Sequence, residues 1–195
     1  MNVSRTTDSA KCQKRFNVAM KTGKRTLVVY YSLRGKTDRV ARDLAMRLGA
    51  DLERIGERKN RGGWLGFVVA TLDSLREHPV ALDPRVKDPK DYALTIVGTP
   101  IWAGKITPAV RAYLRVNRDQ NDVAFFTTSA STPAAKVVPE LERLAARQAI
   151  AFEGFAASDL LDQAIYQEKI GAFLERLQRD RSCEVCGQEP RQACA

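Results

Sequence analysis

An apolar run that breaks into a polar, glycine-centred turn, followed at once by a one-sided helical pattern, constrains this chain more than any other feature. The stretch is Thr26-Leu-Val-Val-Tyr-Tyr-Ser-Leu-Arg-Gly-Lys-Thr-Asp38. Leu27 to Tyr31 read as a buried strand. From Lys36 onward Val40, Ala41, Leu44, Ala45 and Leu48 recur at three- and four-residue spacing, the pattern of a helix packed on a sheet. The turn aims the backbone N–H groups of a helix start, with the hydroxyls of Ser32 and Thr37, just beyond a strand end. A phosphate could be held there by the partial positive charge of the helix terminus. The bland alternative is an ordinary strand–helix turn capped by Ser32 or Asp38.

The same alternation continues. Asp51 to Ile55 form a short second strand after the helix stop at Gly49, and residues 56 to 63 are a charged, glycine-rich loop. Trp64, Phe67, Val68, Thr71, Leu72 and Leu75 space like a helix that ends at His78-Pro79. Tyr92 to Gly98 read as a central parallel strand running into a loop, Thr99-Pro-Ile-Trp-Ala-Gly104. Thr107-Pro108 reads as an N-cap with proline at the first helical position, and Val110, Tyr113 and Leu114 supply the buried face. Val123 to Phe126 form another strand, ending in the loop Thr127 to Pro133. A helix with Val137, Leu141, Leu144 and Ala145 on one face follows, then a strand from Ile150 to Phe155. The last helix carries the stripe Leu160, Leu161, Ile165, Lys169, Phe173 and Leu177, with Asp159 as its cap.

This order, βα repeated five times, predicts an α/β fold with right-handed crossovers and helices on both faces of a parallel sheet. The loops at 32 to 37, 99 to 104 and 127 to 133 all follow strand carboxyl ends, so they can meet in one crevice. Gly35-Lys36-Thr37 copies the end of a nucleotide-triphosphate loop, but the glycine that motif needs at position 30 is Tyr. A dinucleotide fingerprint is missing too. A short loop of hydroxyls and backbone donors suits a terminal monophosphate.

These residues resemble the flavodoxin family, particularly bacterial flavodoxin-like proteins with a Pro-Ile-Trp-x-Gly run after the third strand. The resemblance covers about residues 26 to 177. It implies a three-layer, doubly wound, five-stranded parallel sheet in the order 2-1-3-4-5, of the short-chain class because the long insertion of the last strand is missing. It also implies FMN as cofactor. The family's first loop, Ser/Thr-x-Thr-Gly-x-Thr, wraps the FMN phosphate, and Ser32, Gly35 and Thr37 match it while Arg34 replaces the middle threonine. The resemblance thus assigns Ser32, Leu33, Arg34, Gly35, Lys36 and Thr37 to the phosphate. Arg34 either pairs with it or points to solvent. Thr99, Pro100, Ile101, Trp102, Ala103 and Gly104 fall beside the isoalloxazine, and Thr128, Ser129, Ala130 and Ser131 along its other edge. Trp102 either covers the ring or closes the sheet end. Ser129 and Ser131 either donate to flavin oxygens or, for Ser131 and Thr132, cap a helix before Pro133. Tyr30 and Tyr31 alternate faces, so at least one belongs to the core.

The implied function is electron transport by a flavoprotein whose flavin carries the redox chemistry, with a redox partner protein or small electron acceptor as partner. The alternatives are an NAD(P)H-dependent oxidoreductase acting on a quinone or similar acceptor, and a non-catalytic binding protein that has lost the flavin. Flavodoxins proper are acidic. This chain has a net charge of +9, of which residues 1 to 25 contribute +6, residues 179 to 195 nothing and the body about +3. That division predicts three parts: a basic, disordered arm at 1–25, the FMN-binding domain at 26–178 and a cysteine-containing tail at 179–195. The arm is a solvated tail, a weak contact for nucleic acid or an acidic protein, or a targeting segment. Aromatic–basic interleaving is missing, which argues against nucleic acid. No apolar stretch is long enough to span a membrane. Cys12, Cys183, Cys186 and Cys194 all lie outside the periodic region, so a disulfide framework is not expected and a cytoplasmic location is. Cys183-x-x-Cys186 with Cys194 lacks the fourth ligand of a zinc site, leaving a metal, a redox pair or incidental cysteines open. His78, the lone histidine, supports no triad.

Overall fold

A computed structural model describes residues 25–56 and 86–186, with side chains through 179. All of the basic arm except Arg25, the helix expected from Trp64 to Leu75, His78, Cys12 and Cys194 lie outside the described residues.

The strands are β1 (Thr26–Tyr30), β2 (Asp51–Arg54), β3 (Leu94–Trp102), β4 (Lys105–Ile106), β5 (Asp122–Ser129) and β6 (Ala149–Ala156). The helices are α1 (Lys36–Leu48), α2 (Pro108–Val116), α3 (Val138–Ala145) and α4 (Gln163–Cys186), with single 3-10 turns at Pro89–Asp91 and Ala134–Lys136. β2, β1, β3, β5 and β6 pair in that order, all parallel, which is the expected 2-1-3-4-5 arrangement once the hairpin strand β4 is counted separately. α1 and α4 cover one face, over Val28, Tyr30, Ile96, Ala124 and Phe126. α2 and α3 cover the other, over Leu27, Val29, Val97, Val123 and Phe125. The alternation along each strand therefore feeds two cores, and the central strands need apolar side chains at every position.

The structure corrects several boundaries. Thr99 to Trp102 are strand, not loop: β3 continues beyond Gly98, and Ile101 and Trp102 pair antiparallel with Ile106 and Lys105. Pro100 is tolerated because β1 has already ended. Gly98 O accepts from Tyr31 N–H, so the backbone N two residues on faces the same, now empty side. Tyr31 lies just past β1. Thr127 to Ser129 are likewise the end of β5.

Asp159 does not cap α4. Asp162 does, its carboxylate accepting from the N–H groups of Ala164 and Ile165 at 2.9 and 3.2 Å. Asp159 instead accepts from Ala156 N–H and from the Lys169 ammonium, closing the turn after β6. The buried stripe of α4 is accordingly Tyr166, Ile170, Phe173 and Leu177, with Leu161 and Ile165 exposed. The helix runs on past Leu177, the last residue of the expected stripe, to Cys186.

Gly98 on β3 leaves room for the side chain of Phe126, its partner in register on β5. A Cβ there would lie 2.1 Å from the ring of Phe126, which is fully buried on β5. Gly98→Ala is expected to destabilise the fold by about 1–3 kcal/mol through overpacking. Urea denaturation will show a lower midpoint, and an unchanged midpoint would mean that the Phe126 ring can move aside freely.

Candidate functional site

The carboxyl ends of β1, β3 and β5 bring the anticipated loops together. Loop 1, residues 31 to 35, turns on Gly35, whose φ of 82° lies in the left-handed region and makes it the N-cap of α1. A glycine cap has no side chain to offer, and no side chain caps this helix. The helical ladder begins with Arg39 N–H donating to Gly35 O at 2.9 Å, so the amides of Lys36, Thr37 and Asp38 have no partner within the helix. Ser32 is buried, and its hydroxyl accepts from Gly35 N–H at 3.1 Å, holding the loop curled. Thr37 is buried as well, with Oγ1 2.8 Å from Thr128 Oγ1 on β5. That pair ties the helix start to the third loop. Leu33, Arg34, Gly35 and Lys36 form the exposed crest.

Loop 2 is a two-residue hairpin turn. Trp102 pairs with Lys105, and Ala103 and Gly104 between them both have positive φ, 49° and 75°, the signature of a type I′ turn. Ala103 is exposed at the tip, whereas Thr99 and Ile101 are buried and Pro100 and Trp102 half-buried. Thr99 Oγ1 sits 3.2 Å from Thr107 Oγ1, so its hydroxyl faces α2 rather than the crevice. Trp102 meets Tyr31 edge-to-face with ring centroids 5.9 Å apart. Both Tyr30 and Tyr31 are buried, on opposite faces of the sheet.

Loop 3 closes on itself, the Ser129 hydroxyl donating to Thr132 O at 2.8 Å. Ala130 and Ser131 are exposed. Neither Ser131 nor Thr132 caps α3, whose start follows the 3-10 turn at Ala134–Lys136.

Sequence reasoning passed over three contributors. Arg54, which pairs in register with Tyr30 across β1 and β2, donates through Nη2 to Ser32 O at 2.7 Å. The strand order places it there. Lys136 reaches over the hairpin, its Nζ 3.2 Å from where a Gly104 Cβ would stand, and nothing in the local sequence signals this. Tyr30 donates its hydroxyl to Asp38 in the first turn of α1. Arg42 also binds Asp38, at 2.8 Å, and its hydrogen bond, then that of Tyr30, hold the Asp38 carboxyl below its ordinary range. Burial, reinforced by the Asp38 carboxylate, pushes the Tyr30 hydroxyl up to about 12.

Among the described residues no cluster of three or more His, Cys, Asp and Glu side chains is placed to hold a metal ion. None of their helices is long and apolar enough to cross a membrane.

Numerous solved structures are similar to this chain, and they include a flavoprotein from Lactobacillus acidophilus NCFM in complex with FMN. It is 22% identical, with a TM-score of 0.60 over 70% of this chain and 96% of the other. The fold is flavodoxin-like. A proposed flavoprotein from Bacteroides eggerthii DSM 20697 is 19% identical, with a TM-score of 0.62 over 77% of this chain and 96% of its own. A flavodoxin from the domain Archaea is 13% identical, with a TM-score of 0.50 over 80% of this chain and 99% of its own. No protein-family model and no curated protein matches the sequence. The flavodoxin-like fold thus rests on geometry shared at low identity.

The Tyr30–Asp38 pair has a measurable signature. The Tyr30 hydroxyl ionises at about 12 in the fold against an ordinary 10, so the folded state holds its proton more tightly. Its contribution to stability is complete below pH 10 and is lost as the pH rises toward 12. Tyr30→Phe is expected to be less stable at neutral pH and to flatten part of that alkaline decline in melting temperature. Parallel pH profiles for the two proteins would contradict the assignment.

Proposed function

We propose that this chain binds FMN across the carboxyl end of its sheet and serves as an electron carrier. The observation that carries the reading is the uncapped start of α1. A helix whose cap is a left-handed glycine, with three amides unpartnered within the helix and a hydroxyl-rich loop curled before it, is built to be completed by an anion. A ribityl-linked monophosphate fits it better than a triphosphate, because the loop is short and lacks the glycine a triphosphate cradle requires.

In this reading the amides of loop 1 and the α1 start hold the phosphate, with the Ser32 O–H still free to donate. Arg34 and Lys36 on the exposed crest add positive charge. Arg54 braces the loop from behind through Ser32 O. The hairpin from Trp102 to Lys105 and the exposed residues Ala130 and Ser131 flank the place left for the ring. Trp102, locked edge-on by Tyr31, gives that side a fixed apolar wall. Thr37 and Thr128 act structurally, fixing loop 1 against β5. When bound, the flavin supplies the redox chemistry, and the chain orients it and limits its contact with water. The low-identity relative that carries FMN supports the assignment of the same cofactor. A cytoplasmic location and exchange of electrons with a protein or small acceptor complete the proposal.

Gly35→Asp tests it. A Cβ at 35 meets nothing within 4 Å, and aspartate is among the residues that tolerate the left-handed region, so the variant is expected to fold. Its carboxylate would stand where the phosphate binds. Affinity for FMN, read from quenching of flavin fluorescence, is expected to fall at least about tenfold while affinity for riboflavin stays the same. Equal affinities of the unaltered chain for FMN and riboflavin would remove the phosphate site. Retention of neither flavin would remove the reading altogether.

A further inference from the structure

Among the described residues β6 is the last strand of the sheet, and its sequence favours further pairing. Ala149-Ile-Ala-Phe-Glu-Gly-Phe-Ala156 is mostly apolar, carries one charge and no proline, and leaves Phe152 42% exposed. In a parallel ladder alternate residues of an edge strand turn their backbone groups outward. In β6 these include Phe152, Gly154 and Ala156, and from Phe152 O onward each of their groups has a partner. Phe152 O accepts from Arg176 Nη2 at 3.1 Å, and Gly154 N–H donates to Glu153 Oε1 at 2.9 Å. Gly154 O accepts from Lys169 Nζ at 2.8 Å, and Ala156 N–H donates to Asp159 Oδ2 at 2.8 Å. Ala156 O accepts from Leu160 N–H at 3.3 Å in the turn that follows.

The four side chains in this row are themselves two ion pairs, Arg176 with Glu153 and Lys169 with Asp159. Each pair offers a donor to one carbonyl and an acceptor to the next outward N–H. Along the strand the order is donor, acceptor, donor, acceptor, which is what a further strand would present. The two carboxylate side chains are only 16% and 13% exposed, so the pairs lie against the backbone rather than out in water.

We infer that these two ion pairs act as a substitute strand that closes the β6 edge against pairing with the same edge of a second copy of this chain. A second copy is the occupant an open edge would take, because it brings the same apolar strand and the same exposed Phe152, and a two-fold axis lets each edge satisfy the other. The plainer alternative is that the pairs only hold α4 on the sheet. That accounts for two salt bridges but not for their placement on successive outward groups, which water would satisfy at an exposed edge. Tyr166, Ile170, Phe173 and Leu177 already anchor the helix through its buried stripe. The inference is independent of the FMN reading.

Sedimentation velocity of the full chain tests it. Lys169→Met with Arg176→Met removes both donors to the edge carbonyls and keeps unbranched apolar stems in their place. The weight-average mass of this variant is expected to rise to twice that of the unaltered chain between about 1 and about 200 µM protein. Lys169→Arg with Arg176→Lys, which retains both cations, is expected to keep the unaltered mass. So is Arg42→Met with Arg47→Met, which takes the same charge from two ion pairs on α1. Adding Phe152→Lys to the first variant is expected to restore the unaltered mass, because an edge lysine opposes strand addition.

A first variant that melts as a folded protein but keeps the unaltered mass would overturn the inference and leave the pairs as helix anchors. An equal gain in the α1 variant would overturn it in favour of net charge, and a gain that survives Phe152→Lys would move the association elsewhere. A fall in the mass of the unaltered chain on Phe152→Lys alone would mean that the edge is already paired, which also overturns it. If the first variant does not fold, Arg176→Met alone, which uncovers Phe152 O, is expected to gain mass in the same range, and no gain there would overturn the inference.

Discussion

The parallel pairing of β1 with β3 is the contact on which the site depends. It joins Tyr30 to Gly98 in register, and Tyr31 N–H extends it by one more bond to Gly98 O at 3.1 Å. This is also where the winding of the sheet reverses, because β2 lies on one side of β1 and the later strands lie beyond β3. Crossovers leaving the two strands go to opposite faces, α1 to one and α2 to the other, so among the described residues neither helix lies across the gap between loop 1 and the hairpin. The crevice follows from topology. Its walls are chemistry added by the residues that happen to end each strand.

Holding that junction together requires room as much as contact. Gly98 leaves space on one face for Phe126 from the neighbouring strand, and the buried Thr37–Thr128 pair then spans α1 and β5 above it. Two hydroxyls that satisfy each other in a buried position impose no unpaired polar cost, and they fix the distance between loops 1 and 3 more tightly than apolar packing would. Asp38 plays a related part. Drawn toward Tyr30 and Arg42, its carboxylate is engaged at the helix side and its charge is partly compensated, which limits its opposition to an anion at the start of α1.

Most of the architecture was legible because its signals are local. The five parallel strands and the helices α1, α2 and α3 each announce themselves by a period of burial, and the strand order came with the family resemblance. What the sequence left illegible depends on pairing across the fold. Residues 99 to 102 look like a loop because Pro100 and Gly104 flank them, and only the antiparallel partner at Lys105–Ile106 turns them into strand. Asp159 and Asp162 are equally good caps on paper. The choice is made by Lys169, which takes Asp159 and leaves Asp162 to the helix. The same limit applies at the site. The hydroxyls of Ser32, Thr37, Ser129 and Thr99 could be named from sequence, but not that three of them are directed at protein partners, nor that Arg54 and Lys136 would reach in from elsewhere.

Left-handed backbone is an uneven guide to function here. Gly35, Ala103 and Gly104 all adopt positive φ at the crevice, but Ala146 does so too at the end of α3, where its N–H returns to Glu142 O and completes an ordinary helix stop. For the non-glycine residues Ala103 and Ala146 the conformation costs on the order of 1 kcal/mol each. At Ala146 a helix-terminal hydrogen bond offsets the cost. At Ala103 the return is the tight turn itself, which lets β3 reverse within two residues and keeps Trp102 against Tyr31. Strain therefore marks a site only when the geometry it maintains faces an open crevice, and the hairpin at Ala103–Gly104 meets that condition while the stop at Ala146 does not.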